Sequence, residues 1–393
     1  MKKSLAFLIP VIIVARTVVN TGVRMVYPLL PVFSRGLGVS LPMISLALTL
    51  RSASGVFGPF LGSIADSRGR KTGMLFGLCL FVAGMGWMAL APSYPAFVVA
   101  LVLTIIGNFV FIPSMQAFIG DRVPYERRGL VISLTELSWS ISFIAGIPLV
   151  SWLIARQGWQ SPFTWLALMG LLVVGMLAAL LPRDPKPAGG QKLLGKNMHL
   201  VFSQPMALAG LAMGLGMGTA NELINLIFGI WMEDTFQVQI AALAAASAVI
   251  GFSELGGEIF VSLFSDRIGK SRAVWIGLLM NCLAVLALPL LGRSLAGALV
   301  GLGCLYLTFE FTIVSSLPLM TEILPTARAT YMACYIASLS IGRTLGDLAA
   351  PPLYQAGQGT TAGYGILFIA VVSAAINLLA LAALSYVRRA EKR

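Results

Sequence analysis

Apolar residues in this chain come in long uninterrupted runs, separated by short polar clusters. Stretches such as 74–90, 97–118 and 165–181 approach the roughly 20 residues that a helix needs to cross a bilayer. The pattern predicts twelve membrane-spanning helices, at 8–31, 43–65, 73–91, 96–118, 130–155, 162–182, 205–231, 240–264, 273–292, 295–320, 330–356 and 363–387. Their connections are short except at the midpoint, where residues 183–204 are polar and rich in Pro and Gly. The expected organisation is a six-helix bundle over 1–182, a cytoplasmic loop over 183–204 and a second six-helix bundle over 205–393. The expected fold class is therefore all-α membrane protein, with two pseudo-symmetric bundles. Glycines at helical spacing would let helix backbones approach closely in lipid: Gly55, Gly58 and Gly62 in the second span, Gly210, Gly214 and Gly218 in the seventh.

Composition agrees with that pattern. Residues are 58% hydrophobic and 11% charged, with a mean hydropathy of +0.89, whereas a soluble domain carries about 25% charged residues. The net charge of +12 is unevenly placed. With both termini and the even-numbered connections on one side, that side holds 20 of the 27 Lys and Arg, and the other only Arg35, Arg156 and Arg293. Such asymmetry places both termini in the cytoplasm, as for a multi-pass protein of the inner (cytoplasmic) membrane. The basic balance thus reports topology, not nucleic-acid binding. The opening MKKSLAFLIPVIIVA has the look of a signal peptide, but the apolar stretch runs on and carries Arg16, Asn20 and Arg24 at helical spacing. It is expected to be the first span. The four cysteines all fall in spans without ligand spacing, and read as small buried apolar residues.

The polar clusters repeat. GSIADSRGRK (Gly62 to Lys71) returns as SLFSDRIGKS (Ser262 to Ser271), so Asp66, Gly69 and Arg70 align with Asp266, Gly269 and Lys270 at an offset of 200. DRVPYERRG (Asp121 to Gly129) returns as EILPTARAT (Glu322 to Thr330), aligning Asp121, Pro124 and Arg127 with Glu322, Pro325 and Arg328 at an offset of 201. Internal duplication marks secondary transporters. Gly62, Asp66, Gly69, Arg70 and Lys71 complete the signature Gly-x-x-x-Asp-x-x-Gly-Arg-Lys/Arg, and GWQSPF precedes the sixth span. On these residues the chain resembles the major facilitator superfamily over essentially its whole length. The resemblance implies a twelve-helix transporter working by alternating access. It also implies that Asp66 latches the two halves on the cytoplasmic side by accepting from the first N–H groups of the eleventh span. Arg70 and Lys71 would bind carboxylates or lipid phosphates, and Asp121, Arg127, Glu322 and Arg328 would form matching clusters whose ion pairs break during the cycle. Two marks of the superfamily's drug/proton antiporters are altered. Leu103 stands where they carry an arginine four residues before a glycine, here Gly107, and their Gly-Pro pair reads Gly146-Ile147-Pro148.

Ionisable residues within spans point to the transport path, since a charge at mid-bilayer costs about 2.5–3.5 kcal/mol on insertion scales and usually faces a cavity or a partner. Arg16, Asn20 and Arg24 share one face of the first span, with Arg16 near mid-depth and Arg24 near the outer surface, where it either snorkels or meets substrate. Arg51 lies near the middle of the second span and Glu136 two turns into the fifth. The second half carries Glu222, Glu254, Glu258, Glu310, Arg343 and Asp347; Arg343 and Asp347, four apart, are expected to neutralise one another. Arginines on one wall and carboxylates on the other would make a bipolar cavity. Glu222, flanked by Asn221 and Asn225, leads the candidate proton sites, with Glu310 beside it and Glu136 third, because a carboxyl whose arginine partner comes and goes can take up and release a proton. Trp139, one turn after Glu136, is the aromatic candidate for the cavity; Trp152, Trp159 and Trp231 suit the interfacial belt. His199 falls in the midpoint loop, away from transport.

The functional expectation is a secondary active transporter that moves a small organic solute by alternating access, as a proton-coupled efflux antiporter. It would be monomeric in the bilayer and need no cofactor beyond the transmembrane proton gradient. Its partners would be a small-molecule substrate and lipid, not nucleic acid. Alternatives are proton-coupled uptake or facilitated transport of an anionic solute bound by the first-half arginines, or flipping of a lipid or amphiphile. A non-transporting receptor or scaffold would carry its intramembrane charges at a cost without a use. An enzyme is not expected, because the sequence shows no metal-ligand spacing, nucleophile–histidine pair or phosphate loop.

Overall fold

A backbone in lipid must satisfy its N–H and C=O groups within its own segment, and each predicted apolar run accordingly falls on helix over most of its described residues. The computed structural model describes residues 3–58, 60, 69–182, 194–237, 239–358 and 365–391. In chain order its helices are α1 (Lys3–Arg24), α2 (Leu30–Leu37), α3 (Leu41–Ser54), α4 (Arg70–Leu90), α5 (Tyr94–Arg122), α6 (Tyr125–Ile141), α7 (Ile147–Gln157) and α8 (Ser161–Leu180). They continue with α9 (Leu194–Ser203), α10 (Pro205–Phe236), α11 (Ile240–Ile268), α12 (Lys270–Leu291), α13 (Leu295–Ile323), α14 (Arg328–Gln358) and α15 (Gly365–Glu391). No strand occurs among the described residues. Nine helices there are long and apolar enough to cross a membrane, or ten when the broken pair Leu30–Leu37 and Leu41–Phe57 counts as one span. The protein is a multi-pass, all-helical membrane protein.

Among the described residues three predicted spans depart from regular α-helix, and the second does so in a 3-10 turn at Gly55–Phe57. The first stops at Arg24 and resumes at Leu30, because Pro28 has no N–H to offer the Arg24 carbonyl. The fifth widens into a π-helical turn at Ser142–Gly146, just before Pro148, which likewise cannot donate to the carbonyl of residue 144.

The contacts divide the chain into two compact units: Met1–Ser40 with Phe57–Gly190, and Leu41–Val56 with Gln191–Arg393. In the first, α4 packs along α5 and α8, and α1 along α6 and α8. Gly77 and Gly107 face each other where α4 and α5 come closest, and a Cβ on either would strike the other's carbonyl oxygen. Phe33, Phe97 and Phe163 fill one end, with ring centroids 5.5–6.3 Å apart. In the second unit α10 is central, packed on α14 and α15, and α3 joins α14. Gly214 and Gly218 of α10 and Gly342 and Gly346 of α14 form the seam between those two helices. The short α9 tucks its buried Val201 into the cluster around Tyr331 and Tyr335. Residues 41–56, which chain order groups with 1–182, thus cluster with the later helices, and polar contacts from Ser45, Arg51 and Ser52 are what tie them there.

Candidate functional site

Glu222 and Asp347 are both fully buried and lie near the middles of α10 and α14. The two helices can bring them together because residue 346 is glycine: a Cβ there would lie 2.6 Å from Cβ of Glu222. Around the adjoining carboxyls, Arg51 of α3 places Nη2 3.9 Å from Glu222 Oε1, and Arg343 of α14 places Nε 4.0 Å from Glu222 Oε2. Asn225 donates to Glu222 Oε2 at 3.4 Å and accepts from the Tyr306 hydroxyl at 2.7 Å. Ser52 donates to Asp347 Oδ2 at 2.7 Å, and Ser45 to the Asp347 carbonyl. Asp347 Oδ1 is buried and receives no hydrogen bond.

A second cluster lies in the first unit, along the seam of α1 and α6. Arg16 pairs with Glu136 through Nη2 and donates from Nη1 to Thr135 Oγ1 at 3.4 Å. One turn on, Asn20 donates to Ser138 Oγ at 3.2 Å. A further turn on, Arg24 donates to the Trp139 carbonyl at 2.8 Å, with its guanidinium carbon 4.1 Å from the Trp139 ring centroid and 3.5 Å from that of Phe143. The side chain of Arg16 is 5% exposed and that of Glu136 40%, so the carboxylate forms the accessible edge of the pair.

The remaining expected site residues fall as follows. Glu310 is buried on α13, where α11 presses Gly257 against it. Arg70 meets Asp121 at 3.2 Å and Lys270 meets Glu322 at 2.6 Å, so the duplicated motif yields one ion pair in each unit. Lys71 donates to the carbonyls of Ala178 and Leu181, where its charge favours the end of α8. Gly69 and Gly269 take φ of 101° and 91°, the left-handed region that favours glycine, at equivalent turns. Gly62 and Asp66 lie outside the described residues, as do the side chains of Arg127, Asp266 and Arg328.

Four expectations change. Arg343 and Asp347 do not simply neutralise one another: the crossing of α10 and α14 inserts Glu222, and Arg343 turns to it. Arg24 does not snorkel; it is 3% exposed between two aromatic rings. Trp231 does not turn its ring outward as a belt residue would; it is buried against Gly292 and Phe236 at the ends of α12 and α10. Cys79 and Cys304 are exposed on their helices, and only Cys282 and Cys334 are buried; all four are free thiols. Ser45, Ser52, Tyr306, Phe143 and Gly346 were not legible as site residues. Each is an ordinary membrane-helix residue until its neighbour across a helix crossing is known.

The family model described as Major Facilitator Superfamily matches residues 12–346. The chain is 24% identical to the inner membrane transport protein YdhP of Escherichia coli K12 over 356 residues, which covers 90% of this chain and 88% of that one. It is 26% identical to the quinolone resistance protein NorA of Staphylococcus aureus over 213 residues, covering 52% and 54%. Among solved structures, a D-xylose–proton symporter superposes with a TM-score of 0.77 at 16% identity, covering 96% and 97% of the two chains. A bacterial homologue of the lysosomal transporter Spinster superposes with a TM-score of 0.76 at 14% identity, covering 99% and 96%. With the family model spanning most of its length, this chain belongs to the Major Facilitator Superfamily, and is a membrane transporter of small molecules rather than an enzyme.

Proposed function

We propose that the protein is a proton-coupled secondary transporter that carries a small organic solute by alternating access. The observation that supports this reading is the buried group of Glu222, Asp347, Arg51 and Arg343 near the middles of α10 and α14. Two carboxyls and two guanidiniums in one apolar interior are costly unless the cycle uses them. Their contacts of 3.9 and 4.0 Å are long enough to exchange without dismantling the helices. A proton carried by the carboxyl pair supplies the donor that Asp347 Oδ1 otherwise lacks. Arg16 and Glu136 form the corresponding charged element of the first unit, with the polar edge of Asn20 and Trp139 beside it.

Export is the direction we read from the likeness to a quinolone resistance protein, and the distribution of Lys and Arg supports cytoplasmic termini. The second reading is uptake of an anionic solute together with a proton, favoured by the half-exposed guanidinium of Arg343. The test is flux in liposomes carrying an internal pH indicator. Solute addition should move protons through the wild-type protein, and Glu222→Gln should uncouple them while solute still binds. Solute flux that proceeds without proton movement in the wild type would overturn the coupling.

A further inference from the structure

Arg343 has more to offer than its contact with Glu222. Its Nε edge faces that carboxylate, while among the described residues Nη1 and Nη2 meet neither an acidic group nor a hydrogen-bond acceptor. The side chain is 39% exposed, against 1% for Glu222. It shares the inner face of α14 with Gly346 and Asp347, opposite the exposed Ile341, Leu345 and Leu348. It also lies midway along α14, about 22 Å from either end at helical rise. A guanidinium with one edge toward a carboxylate and two parallel donors open is suited to bidentate capture of an oxyanion.

We infer that Arg343 is the recognition point for a carboxylate, sulfonate or phosphate group on the transported solute, and that the anion and a proton occupy the cluster together. This inference rests on the second functional reading. An oxyanion on Nη1 and Nη2 draws Arg343 away from Glu222, and a proton on the carboxyl pair then replaces the lost charge contact. By linkage, each of the two ligands improves the binding of the other. The other groups facing Glu222 are fixed in kind: Arg51 and Ser52 from α3, Asp347 from α14, Asn225 from its own helix and Tyr306 from α13 through Asn225. Arg51 stays with the carboxyls, so the cluster never holds two bare negative charges.

Full-length protein in nanodiscs, prepared with and without anionic lipid, tests this with three matched probes: benzenesulfonate, benzenesulfonamide and benzyltrimethylammonium. Benzenesulfonate alone should raise the thermal stability of the wild type. Its affinity should be higher at pH 6 than at pH 8, and indifferent to the lipid. Arg343→Gln should weaken it by roughly tenfold or more, as for loss of a charge-assisted contact, with Arg343→Lys intermediate. Glu222→Gln should bind the anion with no pH dependence. Equal stabilisation by the neutral or cationic probe, no response to the anion, or unchanged anion affinity in a folded Arg343→Gln variant would overturn the inference. Solute-driven proton flux in liposomes persisting after such a result would leave the transport reading standing; its absence from the wild type would remove that reading as well.

Discussion

Gly346 decides whether the carboxyl cluster exists at all. A Cβ at this position would lie 2.6 Å from Cβ of Glu222 and 3.0 Å from the Thr219 carbonyl oxygen, and neither belongs to the flexible end of a side chain. Gly346→Ala should therefore push α14 off α10 at the level of the charges, at a cost of about 1–3 kcal/mol for overpacking. Thermal unfolding in detergent should show the loss, and coupled transport should fall further than stability alone explains, because Glu222 and Asp347 would separate. A variant as stable and as active as the wild type would mean that the two helices tolerate a wider spacing. The same offset of 200 puts Gly146 against Thr21 in the first unit, so the glycine that lets two helices close is duplicated along with the fold.

Among the elements, α12, α13 and α15 are joined by a buried polar network rather than by apolar packing alone. Asn281 of α12 donates to the Leu305 carbonyl and to Thr308, both at 3.0 Å, and accepts from Asn377 of α15 at 2.8 Å. In lipid such interhelical bonds are worth about 0.6 kcal/mol each, and up to about 1.7. Asn281→Leu removes all three and leaves the Asn377 amide to find another partner, while the Leu305 carbonyl keeps the Thr308 hydroxyl. The expected outcome is a lower melting temperature with little change in solute affinity, since none of these three bonds reaches Glu222. A marked loss of affinity at unchanged stability would instead place it in the transport path. The seam of α1 and α6 is of a different kind. It steps from Arg16 to Asn20 to Arg24 against Glu136, Ser138 and Trp139, and the widened turn at Ser142–Gly146 sets Phe143 against Arg24.

Across the whole molecule, duplication leaves each unit with the same exposed ion pair, Arg70 with Asp121 and Lys270 with Glu322. Exposed pairs contribute about 0–1 kcal/mol, so they do little to hold a fold together. Their proposed role is kinetic. Lys270→Glu should leave stability within about 1 kcal/mol of wild type yet slow transport, and the swap Lys270→Glu with Glu322→Lys should restore the rate. Initial rates in liposomes, compared with melting temperatures of the same preparations, check this. Failure of the swap to recover any rate would assign the slowing to something other than the pair.

Features that depend on composition within one segment can be read directly along the chain. Runs of apolar residues specify helices because lipid offers the backbone no other partner. The polarity of the connections sets the expected sidedness, and the repeated motif specifies duplication and family. Single residues such as Gly69 and Gly269 were legible because a turn with positive φ needs glycine whatever surrounds it. Which buried charges meet, by contrast, is set by how the helices pack. Helical periodicity assigns Arg343 and Asp347 to one face but cannot place Glu222 between them, and chain order sets Arg51 with the first half although its contact is Glu222. Those choices follow from how closely two particular backbones approach, a property of helix crossings that one strip of sequence does not carry.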